Sequence, residues 1–258
     1  QLPPYTRAGH AGALEGSYFT ALHGGKRSLA IDFRHPETST LILGLVASYD
    51  VLIEGFKPGV LEQMGLSPDR LHNENPDLVI ARISGYGQSG PWAQRPGHDL
   101  NYLSVAGALA GVSHDDEGHA IYALQISDLS GAMVAAMGIC AALFERARSS
   151  IQEATQRGRV LDISLCESAL ALSAPLFFGL QNGSPKREPH PRGEVLNGGI
   201  PSYRTYRCAD GRWLSLGALE PKFLNRVQSI LGADPATWAD VFLTAPLSSW
   251  VETLSDAC

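Results

Sequence analysis

A histidine followed directly by an aspartate closes a glycine-rich stretch, Ser84-Gly-Tyr-Gly-Gln-Ser-Gly-Pro-Trp-Ala-Gln-Arg-Pro-Gly-His98-Asp99. An imidazole in such a loop can give or take a proton near neutral pH, and glycines let a ligand approach the backbone closely. The plainer reading of His98 is a loop side chain bonded to backbone. Asp128 precedes a long apolar run and reads first as an N-cap whose carboxylate accepts from first-turn amides. The same position could supply a base or a nucleophile, with unpaired helix amides beside it to hold a developing oxyanion. Glu220, in Gly217-Ala-Leu-Glu-Pro-Lys222, again has the place of a cap before a helix-starting proline. Arg27, Arg34, Lys57 and Arg95 lie near strand ends, where cations could hold phosphates, although scattered basic residues are usually just solvated. Neither a Walker loop nor a Gly-x-Ser-x-Gly elbow occurs. Cys140, Cys166, Cys208 and Cys258 are far apart and match no metal spacing, so no metal site is expected.

The elements that must position these residues follow from the apolar runs. Arg27 to Phe33 has strand character, and Pro36 introduces a helix over Glu37 to Ser48. Tyr49 to Glu54 is a second strand, ending in Gly55-Phe-Lys-Pro-Gly59. Short helical pieces, Val60 to Met64 and Pro68 to Glu74, lead to a third strand over Asp77 to Ile83. Continuous apolar strands alternating with helices imply a parallel sheet covered on both faces, with ligands beyond the carboxyl ends of its strands. Asp128 opens a helix running to Arg148, whose small residues indicate close packing. Gly158 to Ser164 is another strand, and Glu167 to Leu180 another helix. A polar stretch follows, and then Ser202 to Cys208 and Arg212 to Leu216 flank Ala209-Asp-Gly211 as a hairpin. The expected organisation is a large α/β domain over residues 1–180, a linker over 181–199 and a smaller α+β domain over 200–258.

Composition bounds the partners. The 258 residues are 44% hydrophobic and 18% charged, enough to bury a core and too apolar for disorder. With 20 Lys+Arg against 26 Asp+Glu, the net charge of −6 provides no general attraction for nucleic acid or an anionic membrane, and neither partner is expected. The run Leu129 to Phe144 falls short of the about 18 apolar residues that mark a membrane span, so none is expected. Cys140 and Cys166 sit in apolar runs that read as buried, and unpaired cysteines fit a reducing cytoplasm. The opening residues read as loop with no initiator Met, as though the chain starts inside a protein.

Several ordered motifs then carry a resemblance. Glu54-Gly-Phe-Lys-Pro-Gly59, Asn75-Pro76, Ile83-Ser-Gly-Tyr-Gly-Gln-Ser-Gly-Pro91, Gly97-His-Asp-Leu-Asn-Tyr102, Gly158-Arg-Val-Leu-Asp-Ile-Ser164 and Asn197-Gly-Gly199 together resemble the family III CoA-transferases. Gly97 to Tyr102, with Gly217-Ala-Leu-Glu-Pro-Lys-Phe223, is similar to the α-methylacyl-CoA racemase branch. The resemblance implies a Rossmann-like parallel-sheet large domain, a smaller α+β domain, further chain at both ends, and two subunits interlocked as a homodimer. It also implies that acyl-CoA or CoA is the ligand and that no cofactor beyond the CoA thioester is needed. By motif match, His98 and Asp128 would be bases on opposite faces of the substrate α-carbon, with Glu220 supporting His98 across the assembled site. Arg34, Phe56, Lys57 and Gly97 would contact CoA or substrate, as would Asp99, Tyr102, Leu129 and Gly131. The implied activity is racemisation of 2-methyl-branched acyl-CoA thioesters. Two other readings stand beside it: CoA transfer with Asp128 as nucleophile, and a non-catalytic acyl-CoA binder.

Overall fold

The computed structural model describes residues 5–7, 14–112, 114–115, 118–119, 121–148, 157–175 and 195–255. The chain divides into two units, residues 1–42 and 43–258. In the first, β1 (Tyr5–Arg7) pairs antiparallel with β2 (Leu14–Gly16), and α1 (Ser17–Leu22) follows directly. The run Arg27 to Phe33, expected as a strand, is not one. Its apolar residues Leu29 and Phe33 are exposed and no strand among the described residues pairs with it, so the run lacks the ladder that would make it a strand. Helix α2 (Thr38–Val46) runs across the boundary in sequence.

The second unit opens with β3 (Val51–Glu54), α3 (Val60–Gln63), α4 (Pro68–Glu74) and β4 (Val79–Ser84). Ser67 caps α4: Arg70 N–H donates to Ser67 Oγ at 3.3 Å, and Pro68 takes the first turn, where no amide is needed. Next come α5 (Asp99–Val105), the two-residue pair β5 (His114–Asp115) and β6 (Gly118–His119), α6 (Ile126–Arg148), β7 (Arg159–Ser164) and α7 (Leu165–Leu172). Strands β3, β4 and β7 form a parallel sheet in that order, with Val51 beside Val79 and Ser84 beside Ser164. The central strand is flanked on both sides, and Leu78 to Ala81 is fully buried, which is why that run is apolar without alternation.

A buried ion network joins the sheet to α3. Arg82 Nε donates to Glu54 Oε1 at 2.7 Å, and its two terminal nitrogens donate to the Glu62 carboxylate at 2.7 and 3.1 Å. Glu54 Oε2 in turn accepts from Phe56 N–H at 2.8 Å, so the network reaches the loop after β3.

Helix α6 begins before Asp128 rather than at it. Among the described residues it is the helix long and apolar enough to cross a bilayer, exceeding the run counted in the sequence. Its small-residue side, Ser127, Ser130, Gly131, Ala135 and Ala142, is buried, and it packs on α5, α7, β4 and β7. Cys140 is exposed on it, against expectation, because that buried side runs along other positions.

After residues 176–194, β8 (Tyr203–Arg207) and β9 (Trp213–Gly217) form the expected antiparallel hairpin. Gly211 takes a positive φ of 77° at its turn, and Arg212 N–H donates to Asp210 Oδ1 at 3.2 Å. Helices α8 (Pro221–Leu231), α9 (Trp238–Phe242) and α10 (Leu247–Leu254) close around a separate core of Tyr206, Cys208, Val227, Trp238 and Phe242. The expected Leu180 helix end and most of the 181–199 linker lie outside the described residues.

Candidate active site

A cavity of about 500 Å³ lies beyond the carboxyl ends of β3 and β4, where a parallel sheet places its ligands. The loop after β3 supplies Gly55, Phe56, Lys57 and Pro58, and the loop after β4 supplies Gly85, Arg95, Gly97 and His98. Several contacts fix these loops. Gln88 N–H donates to both oxygens of Asp162 on β7 at 3.1 and 3.0 Å, and Gln94 Nε2 donates to Pro58 O at 3.0 Å, tying one loop to the other. Gly85-Tyr-Gly-Gln-Ser-Gly90 spells a dinucleotide fingerprint after a strand, yet no helix opens until Asp99. It therefore lacks the helix N-terminus that such a fingerprint needs.

Tyr102 explains two of the glycines. Its ring is buried between Gly85 and Gly97, where an added Cβ would meet ring carbons at 2.5 and 2.6 Å, and its hydroxyl donates to Gly97 O at 2.6 Å. Tyr86 packs edge-on to Tyr102 at 5.1 Å and to Trp92 at 5.3 Å, and the Arg95 guanidinium covers the Trp92 ring at 4.3 Å. Lys57 and Arg95 both line the cavity, and neither has a carboxylate partner among the described residues.

His98 stands at the N-cap of α5, exposed on the cavity wall, with its N–H donating to Asn101 Oδ1 at 3.0 Å. Asp128 is not a cap. It occupies the first turn of α6, and the capping carboxylate comes from Asp99, whose Oδ1 accepts from Ser127 N–H at 2.7 Å and Asp128 N–H at 3.1 Å. Relieved of capping, the Asp128 carboxyl is raised above the ordinary aspartate range, first by loss of water and then by the Asp99 charge, while His98 pulls it down. The α6 amides expected to hold an oxyanion are engaged: Ser127 and Asp128 bind Asp99, and Leu129 N–H donates to Gln125 O at 2.9 Å.

The remaining expected residues divide. Phe56, Lys57, Gly97 and Tyr102 line the cavity with His98. Gly131 does not; it faces α7, where an added Cβ would lie 2.3 Å from Leu165 Cδ2. Leu129 is exposed on α6, and Glu220, exposed at the N-cap of α8, makes no capping bond and does not line this cavity. Arg34 belongs to the 1–42 unit, where its Nε donates to Asp32 Oδ1 at 3.3 Å. Ser84 was missed: it lines the cavity at the end of β4, and its buried hydroxyl has no partner among the described residues. Its place as the last residue of a central parallel strand was the available signal. Among the described residues, no three His, Cys, Asp or Glu side chains gather to hold a metal ion.

The family model for CoA-transferase family III matches residues 3–250, every site residue included. The chain belongs to that family. Within family III it is similar to the α-methylacyl-CoA racemase of Mus musculus, 36% identical over an alignment of 254 positions that covers 91% of this chain and 64% of the racemase. It is also similar to the succinyl-CoA–D-citramalate CoA-transferase of Chloroflexus aurantiacus, 33% identical over 215 residues, covering 83% of this chain and 51% of that enzyme. A solved family structure, a CAIB/BAIF family protein from Brucella suis, superposes with a TM-score of 0.73 at 25% identity, covering 99% of this chain and 65% of that one. The chain thus spans a little under two thirds of the length of the racemase relatives it matches. The α/β fold with its parallel sheet is that of family III.

Proposed function

We propose that this family III chain racemises 2-methyl-branched acyl-CoA thioesters by two-base α-proton transfer. The observation that carries the proposal is that His98 lines a cavity open to ligand while Asp128, at the adjoining start of α6, lies within electrostatic reach of it, both beside Asp99. One base removes the α-proton, and the C–H electron pair moves into the α-carbon–carbonyl bond as the carbonyl electrons shift to oxygen. The other base delivers a proton to the opposite face of the enolate, restoring the thioester with inverted configuration. An Asp128 carboxyl held above its ordinary range has the higher proton affinity that this step favours. Lys57 and Arg95, as cations without carboxylate partners among the described residues, suit the phosphates of CoA, and Phe56 offers an apolar wall. In the full assembly a partner subunit would bring Glu220 toward His98.

A second reading has a specific observation behind it, the identity to the Chloroflexus aurantiacus transferase: Asp128 would attack the thioester carbonyl and release the CoA thiolate. One experiment separates the two. A proton NMR time course in D2O with an (S)-2-methylacyl-CoA and a second free carboxylic acid should show loss of the α-proton signal. That loss should slow by about 10²- to 10⁴-fold in His98→Ala and in Asp128→Ala. A new acyl-CoA formed without α-exchange, and formed equally well by His98→Ala, would make the protein a transferase.

A further inference from the structure

Two helices carry the candidate bases, and one oxygen joins them. Asp99 Oδ1 accepts from Ser127 Oγ at 2.6 Å, besides the Ser127 and Asp128 amides, and Ser127 Oγ also lies 3.2 Å from Asp99 O. Ser127 is fully buried, so this junction is packed and not a surface contact. Asp99 is covalently next to His98 on one side and hydrogen-bonded to the Asp128 backbone on the other.

Asparagine and serine cap helix starts as well as aspartate does, so capping alone leaves the choice of residue unexplained. What only an acid adds is charge. The groups that face Asp128 are Asp99 and His98 from the start of α5, with the Tyr102 hydroxyl of the same helix within electrostatic reach. The Asp99 carboxylate is the negative member of that set.

We propose that Asp99 is a positioning residue for the two-base reaction, fixing the spacing of His98 and Asp128 through its cap and holding a negative charge against Asp128. The inference rests on the racemase reading above. It gives Asp99 a role through α6 in addition to the substrate contact expected of it, since Asp99 Oδ1 accepts three bonds from the start of that helix. Loss of water raises the Asp128 carboxyl most, and the Asp99 charge raises it further and makes it a stronger base, so one side chain bears on both the spacing of the pair and the proton affinity of Asp128.

Three variants of the full chain test this. Asp99→Asn keeps an oxygen acceptor and removes the charge; Ser127→Ala keeps the charge and removes one donor; Asp99→Ala removes both. Carbon-13 titration of the aspartate carboxyls, with Asp128 identified by its loss in Asp128→Asn, should move down in Asp99→Asn and stay in place in Ser127→Ala. The acid limb of α-deuterium exchange should follow the same shift. Asp99→Ala should lower the exchange kcat by on the order of 10²-fold with KM little changed, the penalty of displaced catalytic groups. An unmoved Asp128 titration in Asp99→Asn, or wild-type exchange in Asp99→Ala, would overturn the proposal. Absence of exchange in the wild-type chain would overturn the racemase reading instead, while the titration would still decide whether Asp99 acts on Asp128.

Discussion

Asp128 holds its proton to higher pH than a free aspartate, and that has a consequence for stability. A folded-state pKa above the unfolded one means that the native protein binds the proton more tightly. This group's stabilising contribution is full below the ordinary aspartate range and is lost as pH rises through its own titration. Asp128→Asn should therefore melt above wild type at neutral pH, with the gain vanishing in acid. Calorimetric scans across pH would show it, and a variant less stable than wild type at neutrality would contradict the account. Ser84 allows a parallel test. Its buried hydroxyl has no partner among the described residues, so Ser84→Ala should leave stability unchanged or raise it by up to about 1 kcal/mol, in contrast to a serine that bonds the protein. Urea unfolding that shows a clear loss would mean the hydroxyl has a partner after all. Sequence alone brought His98 and Asp128 forward as candidates, but it assigned the cap to the wrong aspartate. A cap from another helix leaves no mark in local spacing, because Asp99 and Ser127 meet only through the fold.

Packing between elements places further demands on single positions. Gly158 donates its N–H to Pro76 O at 2.8 Å, and an added Cβ would lie 2.3 Å from Leu78 O, which is backbone and cannot swing aside. Gly158→Ala should cost about 3 kcal/mol, at the upper end for overpacking, and Gly131→Ala less, since the atom in its way is the tip of Leu165. Denaturant midpoints for the two variants would settle the order. Arg82→Met leaves the buried Glu54 carboxylate without its cation and should destabilise by about 3–5 kcal/mol. It should also loosen the Phe56–Lys57 loop that Glu54 holds, which backbone hydrogen exchange at Phe56 would report as faster opening. Elements whose runs meet a paired strand were legible: β4, β7 and the β8–β9 hairpin stand where the sequence put them. Arg27 to Phe33 was not, because a short apolar run has the same pattern whether or not a strand lies beside it.

At the scale of the whole molecule, the long helix α6 is buried on its small-residue side and bare on another. Met133, Met137 and Phe144 are 65%, 64% and 63% exposed, and Leu129 joins them at 48%. A stripe of this kind is normally covered, and a second subunit is the cover that the proposed homodimer would provide. Sedimentation equilibrium should find a dimer that Met137→Lys weakens by tenfold or more; a monomer at every concentration would remove dimerisation from the proposal. The sequence announced the helix but not its bare side, since apolar residues were spread over every face of the run and only the packed structure separates them.

The bond between Asp99 and the start of α6 also bears on chain continuity. Helices α5 and α6 are consecutive in sequence, with residues 106–125 between them, and their starts are also joined directly by side-chain and amide hydrogen bonds. The spacing of the two bases is therefore expected to survive a break in the peptide link between them. A chain cut in this connection beyond the core-packed Ala106 to Leu109 should keep both bases in register, and two pieces that fail to reassemble into an exchanging protein would show that the link itself sets their spacing.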